Sequence, residues 1–160
     1  DGGRVSGTTE ITGLKFVGGD AGDPGVSLNS GMGGAIYVNG DLSVTDSVFE
    51  DNRAYAGGAI AATGNISLDN TVISGNRAEV LGGGVYTDAG NVVLNSSSIK
   101  DNQTVYAGGG VGTYSGNVTL NAGSDISGNT ATQPDGGSGA YANGGTVSDP
   151  GGHISDDVAP

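Results

Sequence analysis

A chain of 160 residues is long enough for one domain, but two Phe and no Trp exclude a thick globular core. The lack of Cys excludes a disulfide framework and thiolate metal sites. A formal net charge of −12 disfavours nucleic acid and anionic membrane surfaces, which are bound through Lys and Arg, and no apolar run is long enough to insert in a membrane.

Taken in order, the chain is a series of copies of one pattern. The first stretch, Gly7 to Gly19, matches Gly40 to Asn52 position for position and sets Phe16 beside Phe49. From there Gly33, Gly57, Gly82, Gly108 and Gly136 open successive copies at steps of 24, 25, 26 and 28 residues. The middle of each copy carries an alternating apolar pair: Leu42/Val44, Ile66/Leu68, Val92/Leu94 and Val118/Leu120. Each closes on an apolar residue and an Asn three positions later: Phe49/Asn52, Ile73/Asn76, Ile99/Asn102 and Ile126/Asn129. A degenerate copy follows, with Val147 in the middle and Ile154/Asp157 at its close. The pattern predicts a single domain over 1–160, with rungs near 1–32, 33–56, 57–81, 82–107 and 108–135 and a degenerate terminal rung at 136–160.

Within a rung, apolar residues alternate with small or polar ones, as in Ile66-Ser67-Leu68, which predicts short strands with one buried face. Gly-rich pairs between them supply corners that need positive φ. Three strands and three corners use about 24 residues, so each copy is one turn of a coil. The expected fold is all-β, a right-handed parallel β-helix of about five coils with three short strands per coil. Stacking puts Ile99 between Ile73 and Ile126 and forms an Asn ladder from Asn52, Asn76, Asn102 and Asn129 at a corner. There Asn tolerates the left-handed conformation, and its amide can bond to the coils on either side. Asp157 in the last copy would weaken such a chain of amides.

Gly33-Gly-Ala-Ile36, Gly57-Gly-Ala-Ile60 and Phe49-Glu-Asp-Asn52 resemble the paired G-G-A-I and F-x-x-N repeats of the polymorphic outer membrane proteins, which are autotransporter-like. The resemblance covers about residues 33–129, with Ile replacing Phe in the later copies and no membrane-anchoring barrel in the chain. It implies a right-handed β-helix passenger, a prokaryotic surface location and, often, adhesion.

The variable connection after each closing Asn is where binding residues are expected. It spans Arg53–Ala56, Arg77–Leu81, Gln103–Ala107 and Thr130–Asp135, and in the first rung it expands to Asp20–Met32. Asp20-Ala-Gly-Asp23 could hold Ca²⁺ through carboxylates and carbonyls, so Asp20 and Asp23 are the candidate metal ligands; a plain turn accounts for the same residues. No other cofactor is expected. Arg53 and Arg77 fall one rung apart beside Glu50, Asp51 and Glu79, which reads first as a surface ion network and second as a grip on a sugar carboxylate. Tyr37, Tyr86, Tyr114 and Tyr141 follow the Gly pairs and would fill a groove or offer stacking faces to sugars.

Catalysis is not expected. Asp51 and Asp101 lie two rungs apart, the single His, His153, sits in the degenerate rung and reads as an edge residue, and no nucleophile-base constellation is visible. An ice-binding face would need a Thr ladder, but the relevant column reads Thr45, Asp69, Asn95, Asn121. The expected function is a secreted or cell-surface structural or adhesive module of a prokaryote, with a host-cell or glycan ligand. It would either stack end to end with identical copies into a fibre or belong to a longer solenoid. The competing reading is a polysaccharide-binding or polysaccharide-cleaving protein of pectate-lyase-like fold.

Overall fold

A computed structural model describes residues 7–21, 31–133, 136–155 and 158–159, and every strand pairing in it is parallel. One coil shows how the sequence makes the fold. Its strands are Ile60–Ala62, Ile66–Asp69, Val72–Ser74 and Arg77–Leu81. In Ile66–Asp69 the Ile and Leu side chains are buried while Ser67 and Asp69 face outward, the period of two that a half-buried strand dictates. Left-handed residues turn the chain between strands: Asn70 at φ 46°, Gly75 at 67° and Gly82 at 62°.

Stacked coils form three six-stranded sheets and one of four strands. The first sheet contains Leu42–Thr45, Ile66–Asp69, Val92–Asn95 and Val118–Leu120, and Thr9–Thr12 and Val147–Ser148 extend it. The second sheet contains Val48–Glu50, Val72–Ser74, Ser98–Lys100 and Asp125–Ser127, between Lys15–Val17 and His153–Ile154. The third long sheet runs from Ile36–Val38 through Ile60–Ala62, Val85–Thr87, Val111–Thr113 and Ala140–Ala142 to Val158–Ala159. These are the three strands per coil that the alternation predicts. The fourth sheet is an addition: the variable connection itself forms strands Arg53–Ala56, Arg77–Leu81, Gln103–Thr104 and Thr130–Ala131. Ala54 and Ala78 turn inward there, and residues so small give a weak sequence signal. Four coils carry all four strands, and partial coils flank them.

The core is a set of ladders. Phe16, Phe49, Ile73, Ile99, Ile126 and Ile154 stack in register, with the Phe16 and Phe49 rings 4.9 Å apart and 9° from parallel. Ile73, Ile99 and Ile126 have no exposed surface, and burying such a side chain contributes about 1.5–3 kcal/mol. Val147 and Ile154 take the positions expected of the degenerate rung.

Two details differ from the sequence expectation. The fifth coil opens on Gly137 instead of Gly136, because Val111 pairs with Ala140 and only Gly137 has the positive φ shared by Gly33, Gly57, Gly82 and Gly108. The ladder Asn residues are not left-handed; the residue before each one is. That column alternates Asp51, Gly75, Asp101 and Gly128, all with φ between 54° and 67°. The alternation has a steric cause: a Cβ on Gly75 would lie 2.7 Å from Asp51 Oδ1, and one on Gly128 2.5 Å from Asp101 Oδ1. Each Asp side chain reaches over the next coil, where only Gly fits.

Candidate functional site

The buried Asn ladder is as dense as its spacing implies. Asn52, Asn76, Asn102 and Asn129 are all at most 5% exposed. The amide oxygens of Asn76, Asn102 and Asn129 each accept two bonds from the preceding Asn, one from its backbone N–H and one from its Nδ2, at 2.9–3.0 Å, and that of Asn52 accepts the Gly19 N–H at 2.8 Å. Each Nδ2 also donates backward to a carbonyl of the preceding coil, as from Asn102 to Ile73 at 3.0 Å. This ladder is structural.

Two further polar ladders escaped the sequence reading. Ser47, Thr71, Ser97 and Ser124 form a buried hydroxyl column in which Ser97 Oγ accepts the Thr71 N–H at 3.0 Å. Asp41, Asn65, Asn91 and Asn117 form an exposed one, each later backbone N–H donating to the earlier side chain. Asp41 occupies the one place that only accepts, which an acid does as well as an amide. A signal for both existed in the repeat, as short polar residues recurring beside each apolar pair. A shallow trough of about 280 Å³ lies along the exposed column, but its Asp41, Asn65 and Asn91 oxygens already receive ladder bonds.

The place that departs from ladder order is a groove between the fourth sheet and the outer face of the third. The outward column of the third sheet reads Tyr37, Ala61, Tyr86, Gly112, Tyr141. The next column, where those strands end, carries Asn39, Thr63, Asp88 and Tyr114; Thr63 Oγ1 donates to Asn39 Oδ1 at 3.1 Å. Opposite them the fourth sheet and its following turn contribute Tyr55, Ala56, Val80 and Leu81, with Met32 beside them. Met32, Tyr55 and Leu81 pack against Ala56, Ala61 and Tyr86 as a second apolar cluster outside the solenoid. The groove encloses about 250 Å³ among Met32, Tyr37, Tyr55, Thr63, Leu81, Tyr86 and Asp88.

Its electrostatics centre on one pair. Tyr86 is 7% exposed and its hydroxyl donates to Asp88 Oδ1 at 3.4 Å. Burial, then the Asp88 charge and hydrogen bond, then Tyr114 push the Tyr86 hydroxyl up to about 12. Tyr37 stands open at 48% exposure. Of the expected tyrosines, Tyr37 and Tyr86 meet in the groove, Tyr114 lies in the column beside Asp88, and Tyr141 is two coils from Tyr86. Tyr55 and Met32 were not anticipated; they lie on the connection that was expected to be loop.

The other candidates are dispersed. Asp20 is exposed and bridges to Arg53 through the backbone, while Asp23 lies outside the described residues. Among the described residues, no three His, Cys, Asp or Glu side chains converge on a point where a metal could sit. Arg53 and Arg77 are paired as expected, and Arg53 Nη2 reaches Glu79 at 2.9 Å; Glu50 binds Lys15 instead, at 2.7 Å. Gly75 separates Asp51 from Asp101 in their column, and His153 is an exposed edge residue opposite Asp125. Thr45, Asp69 and Asn95 do form a column, but Asn121 Nδ2 bonds Asn95 at 2.7 Å and Ser67 bonds Asp69 at 3.3 Å, so its polar groups face one another.

No curated protein and no solved structure matches the chain. A family model described as "Right handed beta helix region" matches residues 4–149. With its parallel coils, in-register ladders and repeated corners, the chain belongs to the right-handed β-helix family.

Proposed function

We propose that the chain is a rigid adhesive module of a secreted or cell-surface solenoid, and that the tyrosine groove is its binding face. The groove carries this reading: it is an outward-facing site where aromatic rings, an apolar wall and a carboxylate converge, on a molecule whose other polar columns bond to themselves. Aromatic side chains bury much area for little lost rotamer freedom, which suits binding sites. The likeness of its G-G-A-I and F-x-x-N repeats to those of the polymorphic outer membrane proteins supports a prokaryotic surface location. Ladders that run head to tail would continue into a following coil, whether of a longer solenoid or of a second copy.

Adhesion of protein-coated beads to intact cells tests this. The wild-type beads are expected to attach, and beads carrying Tyr37→Ala or Tyr55→Ala to detach under the same flow. Equal attachment by all three would overturn the assignment of binding to the groove.

A further inference from the structure

We infer that the groove is a receptor for an organic cation of the alkylammonium class, such as a trimethylammonium group; this rests on the groove being the binding face. Among the described residues three rings line it, and they are all tyrosines: Tyr37, Tyr55 and Tyr86. Tyr37 and Tyr86 occupy one column with Ala61 between them, so two strand spacings of about 4.8 Å set their backbones about 9.6 Å apart. Tyr37 is 48% exposed and open to a cation, which a ring face attracts within roughly 6 Å, whereas Tyr86, 7% exposed, presents little surface to the groove. The thioether of Met32 and the side chain of Leu81 complete an apolar wall suited to methyl groups rather than to a hydrated ammonium or metal ion.

Charge favours the same occupant. Among the described residues, Asp88 is the one charged residue lining the groove; it is exposed, and Oδ1 is the oxygen that takes the Tyr86 hydroxyl. The net charge of −12 adds a negative field around it. An acidic glycan would be repelled by both. A neutral sugar would want several directed donors and acceptors, whereas Thr63 is already committed to Asn39. At about 250 Å³ the space is smaller than pockets for drug-sized ligands and fits a single compact head group.

Titration of the protein with choline chloride, followed by tyrosine fluorescence in a chain without Trp, tests the inference. Choline is expected to bind saturably and at least tenfold more tightly than 3,3-dimethylbutan-1-ol, its uncharged carbon counterpart. Tyr37→Ala and Asp88→Asn should each weaken binding at least fivefold, and Tyr37→Phe should restore it. Both residues are exposed enough for the variants to keep the wild-type circular dichroism. Phosphatidylcholine vesicles that bind as well assign the cation to a membrane headgroup; binding of free choline alone assigns it to a soluble or polymer-borne source. Equal affinity for the uncharged counterpart, no effect of Asp88→Asn, or preference for cellohexaose overturns the inference. Bead attachment that depends on Tyr37 without any choline binding overturns the ligand class and leaves the adhesive reading standing. Choline binding without Tyr37-dependent attachment does the reverse.

Discussion

The side-chain oxygen of Asn102 accepts two hydrogen bonds from Asn76, one from its backbone N–H and one from its Nδ2, both at 2.9 Å. Because both residues are buried, neither donor has water to turn to. Asn102→Ala orphans the Asn76 backbone N–H, while Asn76 Nδ2 keeps the Phe49 and Ser74 carbonyls, so a loss of about 1–3 kcal/mol is expected for the one buried donor left unpaired. Urea denaturation measures it. Asn102→Asp keeps the acceptor but loses the donors and buries a carboxylate, whose pKa burial would raise above its unfolded value. Stability contributed by a group with a raised pKa is present at low pH and lost as pH rises through the folded value. The Asn102→Asp protein should therefore be more stable near pH 4 than near pH 7.

The core ladder gives a sharper contrast. Ile99→Ala should cost about 2–5 kcal/mol, the usual range for a fully buried Ile, and still fold. Ile99→Asp places an unpaired charge between Ile73 and Ile126 and should not fold at neutral pH, as read from loss of the β-type circular dichroism.

The corner where Asp51 overhangs Gly75 predicts coupling. Gly75→Ala alone should destabilise, because the added methyl meets Asp51 Oδ1 and a left-handed backbone disfavours a side chain. In the Asp51→Gly background the steric part vanishes, and the cost of Gly75→Ala should fall to the backbone term of about 1 kcal/mol. A double-mutant cycle by thermal denaturation checks it.

Alkaline titration reports on the groove. Burial, then Asp88, push the Tyr86 hydroxyl up to about 12 from the ordinary 10.0 of a tyrosine. The raised value means its stabilising share is complete below pH 10 and is lost between about pH 10 and 12. Absorbance at the phenolate band should show Tyr86 ionising late. Asp88→Ala should move it down towards the ordinary range without reaching it, since burial is the larger cause.

Much of this architecture was legible in the residues. Period-two alternation gave the three long sheets, and recurrence at fixed offsets gave the register of Ile73, Ile99 and Ile126, because identical coils can stack in only one way that buries every apolar residue. The fourth sheet was not legible, since its inward residues Ala54 and Ala78 look like loop residues and its strands vary in length. The groove was half legible. Tyr37 and Tyr86 carry a repeat position, but Tyr55 and Met32 belong to the irregular connection, and their approach depends on how that connection folds over the outer face of the third sheet. The Ser47–Ser124 and Asp41–Asn117 columns, unlike the Asn52–Asn129 ladder, were not legible for a different reason: Ser, Thr and Asn beside turns read as corner formers whether or not they stack.

The most direct test of the groove as the binding face is tyrosine nitration, read by mass spectrometry on the free protein and on protein attached to cells. Tyr37, at 48% exposure, and Tyr55 should be modified in the free protein and protected on attachment. Tyr106, at 53% exposure and outside the groove lining, should react equally in both. Protection of Tyr106 with Tyr37 and Tyr55 unchanged would contradict the account.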